Sequence, residues 1–276
     1  MTGTQRLRHY RHSAKRVGIL YRVELTKIIR LRQSYIGPLI LVAIVLLSPL
    51  AHPLVKDDMG DYGFIAYVTP LTLGFLGYVL LLSFVSGLFA TELGRGTLRA
   101  VLLRPVKREE IYLAKFLMGC TYSTLLTVVV GIASWCVTIA LGDLYGIQVG
   151  GELLYTGDDM AWAYIFGSIL ALAPQWAGVS LGLLFSSITR STGTAVSLSI
   201  GTWVALDLIK YPLGIDRLVF TSYLEAPWSV FANHCDGLDA SWFPMLYYCL
   251  LSSALVGAIS LVIGIALFKR RNLSAC

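Results

Sequence analysis

One pentapeptide matches a pattern used by nucleophilic enzymes, Gly178-Val179-Ser180-Leu181-Gly182. In serine hydrolases the G-x-S-x-G pattern exposes the serine at a strand-to-helix turn, and a nearby base must activate it. The pentapeptide lies inside a long apolar run without strand context, and no histidine falls in that run. We therefore predict that Gly178 and Gly182 form a small-residue face for close helix packing.

The sequence indicates no catalytic, metal or nucleotide site. It lacks H-E-x-x-H, and His52, His234 and Cys235 have no metal-ligand spacing. It also lacks the G-x-x-x-x-G-K-[ST] loop that cradles nucleotide phosphates, so we predict no cofactor bound by this chain. Of the five cysteines, only Cys235 is expected to face an oxidising side, which argues against a disulfide framework.

Composition indicates an integral membrane protein. Hydrophobic residues make up 56% of the 276 residues, charged residues only 14%, and the mean hydropathy is +0.71. A soluble domain of this size needs more surface charge. The net charge of +6 would suggest a nucleic-acid partner in a soluble protein, but here we expect membrane lipid instead.

The apolar runs are long enough to cross a bilayer as helices. We predict an all-α protein with six spans, at about 34–55, 64–90, 110–141, 161–188, 192–211 and 243–268. They form one transmembrane domain, 34–268, between residues 1–33 and the tail 269–276. Within the half-apolar loop 212–242 we predict one or two short helices at the outer face, or an aromatic belt there.

The distribution of positive charge predicts the topology. Nineteen of the 22 lysines and arginines fall in the N-terminal segment, the loop 91–115, Arg190 and the C-terminal tail. Such a bias in short loops predicts that both termini and this loop are cytoplasmic, in an inner or plasma membrane.

The N-terminal segment divides into a tail and a helix. We predict disorder over 1–16 and an amphipathic helix over 17–32, with Arg22, Lys27 and Arg30 on its polar side. Its apolar side carries Val17, Leu20, Tyr21, Leu25, Ile28, Ile29 and Leu31. Glu24 also lies on the apolar side, where an unpaired carboxylate is costly. We predict that it pairs with a cation from the loop 91–115; the alternative is that it reaches headgroup water.

The loop between spans two and three contains a short helix of its own. Gly94 and Gly96 should end the preceding span, and Thr97 can cap a new helix. Leu98, Val101 and Leu102 then form one apolar face, and the helix should end before Pro105. The same composition also fits an ordinary basic loop that obeys the positive-inside rule.

This loop resembles the first cytoplasmic loop of type-2 ABC exporter permeases. The shared pattern is E-x-x-x-G-T-L-x-x-L-L-x-x-P-V-x-R-x-x-I-x-x-x-K, with a mild departure at Val101. In this chain it corresponds to Glu92, Gly96, Thr97, Leu98, Val101, Leu102, Pro105, Val106, Arg108, Ile111 and Lys115.

The resemblance implies a permease subunit that works as a dimer, with a second copy or a homologous permease. It implies an elbow helix before the first span and two separate ABC ATPase subunits, which bind ATP and magnesium. The short helix would couple to the ATPase, with Glu92 and Arg99 orienting the loop.

Four further residues are candidates for the transport pathway or its gate. Pro174 interrupts the fourth span beside Gln175, a polar residue that should face the bundle. Trp228 and Phe231 lie in the outer loop, near where the resembling family has its outer gate. Ordinary bending and anchoring explain all four equally well. Two other functions stay open: an intramembrane serine protease using Ser180, and an autonomous secondary carrier or channel.

Overall fold

The computed structural model describes residues 3–51, 61–97, 106–149 and 152–271, and within this part the protein is mostly helical. The main helices are α1 (Gly3–Arg30), α2 (Gln33–Leu47), α3 (Tyr62–Gly94), α4 (Arg108–Leu141), α5 (Gly157–Ile188), α6 (Thr192–Ile209), α7 (Ala226–Cys235) and α8 (Met245–Arg270). Short 3-10 helices cover Ser48–Leu50 and Phe220–Tyr223. Two strands, β1 (Ile147–Val149) and β2 (Glu152–Tyr155), lie between α4 and α5.

Five helices are long and apolar enough to cross a membrane: α3, α4, α5, α6 and α8. Their ends lie within four residues of the predicted boundaries. A sixth span is possible where α1 and α2 meet in a 62° bend. Of the predicted first span, 34–55, the structure describes helix up to Leu50, and residues 52–60 lie outside the described part. The chain is therefore a multi-pass, mainly helical membrane protein.

The N-terminal segment is more regular than predicted. Helix α1 begins at Gly3, so the predicted disorder over residues 1–16 is wrong for residues 3–16. Between Gly3 and Gly18 the chain has no glycine or proline, and four of its residues are arginines, which favour helix.

Helix α1 packs against α4 along a narrower stripe than predicted. Val17, Leu20, Tyr21, Leu25 and Ile28 are partly or fully buried, at the spacing of one helix face. Ile29 and Leu31 are 57% and 41% exposed, so they do not belong to the stripe that packs against α4. Ile29 follows Ile28 by about 100° around the helix, which turns it off the stripe.

The strands β1 and β2 were not predicted. They pair antiparallel, with Gln148 opposite Leu153. Ile, Val, Leu and Tyr on both sides of Gly150-Gly151 favour this small hairpin, which corrects a purely helical assignment. Just before the hairpin, the Asp61 backbone N–H donates a hydrogen bond to the Asp143 carbonyl oxygen at 2.9 Å.

Helix α5 lies at the centre of the bundle and packs against α3, α4, α6 and α8. Gly178 and Gly182 allow the predicted close helix packing, here against α3: a Cβ at Gly178 would overlap the Tyr78 ring, and one at Gly182 would lie 3.2 Å from Val85 Cγ1. Proline 174 is inside the helix, which continues to Ile188. The helix α7 and the 3-10 turn before it confirm that the loop 212–242 contains short helices.

Helix α3 contains a π-helical segment, Pro70–Gly77, between two α-helical parts. Proline 70 has no backbone N–H to donate, which weakens regular α-helical bonding at that point. Gly77 allows the wide turn, because a Cβ there would lie 2.6 Å from the Thr72 carbonyl oxygen. Single π-helical turns inside α-helices are uncommon.

Candidate functional site

Four charged side chains meet where α3 ends, and we call them the ion cluster: Glu24, Lys27, Glu92 and Lys115. Lys115 Nζ lies 3.0 Å from Glu92 Oε2 and 3.3 Å from Glu24 Oε1. Lys27 Nζ bonds the other oxygen of Glu92 and lies 3.8 Å from Glu24 Oε2. The cluster therefore joins α1, α3 and α4 at one end of the bundle.

Burial of these charges is tolerated because they balance and because their hydrogen bonds are made. Lys115 is 1% exposed and Glu92 is 7% exposed. Besides its two carboxylate partners, the Lys115 ammonium donates to the Leu88 carbonyl oxygen at 2.9 Å, which engages all three of its N–H groups. It also lies 5.2 Å from the centroid of the Phe89 ring.

The prediction that Glu24 pairs with a cation is confirmed. Its partners are Lys115, at the far end of the 91–115 stretch, and Lys27 from its own helix. Sequence reasoning named Lys115 as the last residue of the loop motif but gave it no role. The available signal was a lone lysine on the inner stripe of an apolar helix, between the core residues Tyr112 and Met118. Arg22 and Arg30 are exposed on the opposite side of α1.

Helix α3 ends where its glycines predict. Gly96 has a φ of +70°, the left-handed conformation that glycine adopts readily at a helix end. A Cβ at Gly94 would lie 2.7 Å from the Arg190 carbonyl oxygen, so this glycine allows close contact with the α5–α6 connection. Thr97 Oγ1 lies 3.5 Å from the Glu92 carbonyl oxygen.

The next residues of the predicted coupling helix, Leu98, Arg99, Val101, Leu102 and Pro105, lie outside the described part of the chain. The description resumes at Val106, two residues before α4. Both ends of the loop are thus placed, and both lie within the part of the bundle that the ion cluster joins.

Arg108, a predicted coupling residue, bonds to the last helix of its own chain. Its Nη1 lies 3.2 Å from the Phe268 carbonyl oxygen and 2.8 Å from those of Lys269 and Arg271. These carbonyls end α8 and have no partner within that helix, so the guanidinium caps it. Glu109 pairs with Lys269 at 2.6 Å on the surface nearby.

The four pathway candidates are all buried among helices. Gln175 Oε1 accepts hydrogen bonds from Ser123 Oγ at 2.5 Å and Thr127 Oγ1 at 3.4 Å, which links α5 to α4. Pro174 is buried beside it. Trp228 and Phe231, 1% and 0% exposed, pack against Tyr164 with ring centroids 5.5 Å apart. Their pathway role stays a prediction.

The serine of the G-x-S-x-G pattern lies in a contact between two helices. Ser180 Oγ donates to the Trp176 carbonyl oxygen of its own helix at 3.2 Å, and it faces Gly257 of α8. His234 lies in α7 between Tyr155 and Trp242. Within the described residues no three metal-ligating side chains come together, and His52 lies outside them.

The layout of spans, the loop motif and the ion cluster beside it can be compared with known families. A family model described as "ABC-2 family transporter protein" matches residues 19–215, from α1 to beyond α6. The chain belongs to the ABC-2 transporter family. It is therefore a transport permease of the ABC-2 type, and the predicted resemblance is confirmed. A search of curated proteins found no match to this permease.

Proposed function

We propose that this ABC-2 permease forms an ATP-driven exporter with two separate ATPase subunits and a second permease copy or a homologous permease. ATP and magnesium would be bound by the ATPase subunits, which would dock on residues 98–105 from the cytoplasm. The observation that carries the proposal is the ion cluster. The cluster joins the two helices that lead into the loop, so that force applied to the loop would be transmitted to the membrane domain.

Movement of the loop would reach the spans directly. Residues 98–105 belong to the short connection 95–107, which joins α3 to α4 and is too short to hold a further domain. Glu92 near the end of α3 is paired with Lys115 of α4, and both contact α1 through Lys27 and Glu24. A displacement of the loop therefore acts on three helices together, because separating them would leave buried charges unpaired.

The composition of the spans supports an apolar or amphipathic cargo. Few ionisable groups lie within the five described spans, and Asp207 and Lys210 near the end of α6 pair with each other at 2.6 Å. A chain of ionisable groups is what proton- or ion-driven carriers use. Their scarcity favours an external source of energy over an autonomous carrier.

The docking proposal is tested by replacing the apolar face of the loop. We expect Leu98→Asp with Leu102→Asp to abolish co-purification of an ABC ATPase from native membranes, because charges cannot fill an apolar groove. Mass spectrometry of the affinity-purified permease measures this. Leu238→Asp, a leucine 56% exposed at the other end of the bundle, is the matched control and should retain the ATPase.

Retention of the ATPase by the doubly substituted permease would contradict docking through this face. Transport by the purified permease alone in vesicles, without any ATPase, would contradict the need for an external engine. The two measurements separate a wrong docking site from a wrong energy source.

A further inference from the structure

An aromatic cleft of about 630 Å³ opens at the end of the bundle opposite the ion cluster. It is bounded by the hairpin strand β2, the first three turns of α5, the end of α7 and the segment before α8. Five aromatic or imidazole rings and one carboxylate line it: Tyr155, Asp159, Trp162, Phe166, His234 and Trp242. The volume lies within the range of small-molecule sites.

The rings are held by contacts with one another. His234 stacks on Trp242 at 6.0 Å between centroids, and Phe166 meets the same indole edge-on at 5.0 Å. The Tyr155 ring centroid lies 5.2 Å from that of His234. His234 is oriented by its Nδ1, which lies 2.8 Å from the Val230 carbonyl oxygen. These contacts therefore hold the rings in defined positions, so that the cleft is lined by π faces and ring edges.

Helix α5 contributes three of the lining groups on one face. Asp159, Trp162 and Phe166 follow at intervals of three and four residues, so they align along the helix. Asp159 Oδ2 accepts hydrogen bonds from Thr156 N at 3.0 Å and Thr156 Oγ1 at 2.7 Å. This fixes the carboxylate at the cleft, and a carboxylate has about four acceptor positions in all.

The charge of the cleft has one sign. Among the residues that line it there is one carboxylate and neither lysine nor arginine. Aromatic faces attract cations, and quaternary ammonium groups are recognised by cages of such rings. A fixed negative charge beside the rings favours a cation over a neutral ligand of equal shape. Trp162 is 70% exposed, so its indole is open to a ligand.

We propose that this cleft binds organic cations that carry a quaternary or trialkyl ammonium group. The inference goes beyond the proposed function, since it needs neither an ATPase nor the loop 91–115. Trp162 and Phe166 would present π faces to the alkylated nitrogen, and Asp159 would balance its charge.

The test uses purified full-length permease in detergent, with tryptophan fluorescence and calorimetry as readouts. The probes are tetramethylammonium, choline and 3,3-dimethyl-1-butanol, the uncharged isostere of choline. We expect saturable binding of both cations and about tenfold weaker binding of the alcohol. Equal affinity for the alcohol, or no saturable binding of either cation, would overturn the proposal.

Two substitutions locate the site. Trp162→Leu and Asp159→Asn should each weaken choline binding by about tenfold, while the asparagine can still accept from Thr156. Trp176→Leu is the matched control, because Trp176 is 41% exposed on α5 but does not line this cleft, and its affinity should be unchanged. Unaltered binding by both cleft variants would place the cation elsewhere and refute the assignment.

Nanodiscs distinguish the two sources of such a cation. If choline binding is lost in phosphatidylcholine discs but kept in phosphatidylglycerol discs, a lipid headgroup occupies the cleft. If choline binds equally in both, the ligand is a free cation. Loss of binding in both kinds of disc would show that the membrane closes the cleft, which contradicts the proposal.

Discussion

Lys115 is the least exposed charged side chain that the structure describes, and both of its carboxylate partners come from other helices. We therefore expect substitutions of Lys115 to be poorly tolerated. A buried charge without its partner is far more costly than an exposed one, because water cannot replace the lost contact.

Lys115→Met tests this cost. We expect it to lower the free energy of unfolding by about 3–5 kcal/mol, since Glu92 and Glu24 lose their main cation. Lys269→Met removes a pair of similar length to Glu109, but both side chains are 47% exposed, and we expect a loss below about 1 kcal/mol. The stability of the two variants is compared by heating each one and measuring the fraction that stays monodisperse in size-exclusion chromatography.

Removing the opposite charge as well provides the control for Lys115→Met. The double variant Lys115→Met with Glu92→Gln should lose less stability than the single variant, because a neutral amide replaces the abandoned carboxylate. Equal losses at Lys115 and Lys269 would show that burial of the cluster contributes nothing.

Cys235 offers a pH-dependent measurement outside the spans. Burial, with a smaller contribution from the neighbouring Asp236 carboxylate, raises the pKa of the Cys235 thiol to about 12. The thiol is therefore protonated at neutral pH, and its thiolate fraction should rise about tenfold per pH unit up to that value. We expect slow alkylation by iodoacetamide at pH 7.5 and acceleration toward pH 10.

Leu238→Cys in a Cys235→Ser background is the matched control for this thiol. It lies three residues away at an exposed position, and it should react at the rate of an ordinary thiol. Equally fast alkylation of Cys235 in the folded permease would disprove the raised pKa.

At this scale, the sequence predicted what each side chain needs but not which group supplies it. Glu24 falls on the apolar side of α1, so its need for a cation was visible. The choice of Lys115 depends on the packing register between α1 and α4, which no local pattern encodes. Arg108 belongs to the loop motif, yet its contact with the end of α8 depends on where α8 packs in the folded bundle.

Among the secondary-structure elements, the small residues of α5 decide how closely the helices approach. A Cβ at Gly178 would overlap the Tyr78 ring, whereas one at Gly201 of α6 would meet no atom within 4 Å. Helix propensity favours alanine over glycine at both positions. The two positions therefore separate the effect of packing from the effect of propensity.

We expect Gly178→Ala to lower the melting temperature and Gly201→Ala to leave it unchanged or slightly higher. At Gly178, the overlap forces α3 and α5 apart, for which overpacking costs of about 1–3 kcal/mol are typical. Thermal unfolding of the purified permease followed by tryptophan fluorescence measures the difference. A stabilised Gly178→Ala variant would mean that α3 and α5 are not in close contact.

Helices were easier to predict than the exceptions to them. Long apolar runs fixed five spans to within four residues, because crossing a bilayer requires both length and hydrophobicity. The π-helical segment in α3 could not be predicted, because its eight residues are mostly apolar and show no periodic pattern of polar residues. The hairpin depends on short strands flanking Gly150-Gly151, which are weak signals beside long helices.

For the whole molecule, the asymmetry of charge predicts one orientation in the membrane. In a cysteine-free permease, Lys15→Cys should be labelled by an impermeant maleimide only after the cells are opened, and Leu238→Cys should be labelled in intact cells. Both positions are exposed, so accessibility differs only through the membrane. Labelling in the reverse order would invert the topology and remove the loop 91–115 from the cytoplasm.

The lengths of the central helices determine how far the ion cluster lies from the membrane centre. With 33 and 34 residues, α3 and α4 are each about 50 Å long, whereas the hydrocarbon core is about 30 Å thick. Each helix is therefore longer than the hydrocarbon core, and the ion cluster joins both of them to α1. We expect a load applied at these joined ends to tilt the three helices together rather than bend one of them, because the buried ion pairs resist separation.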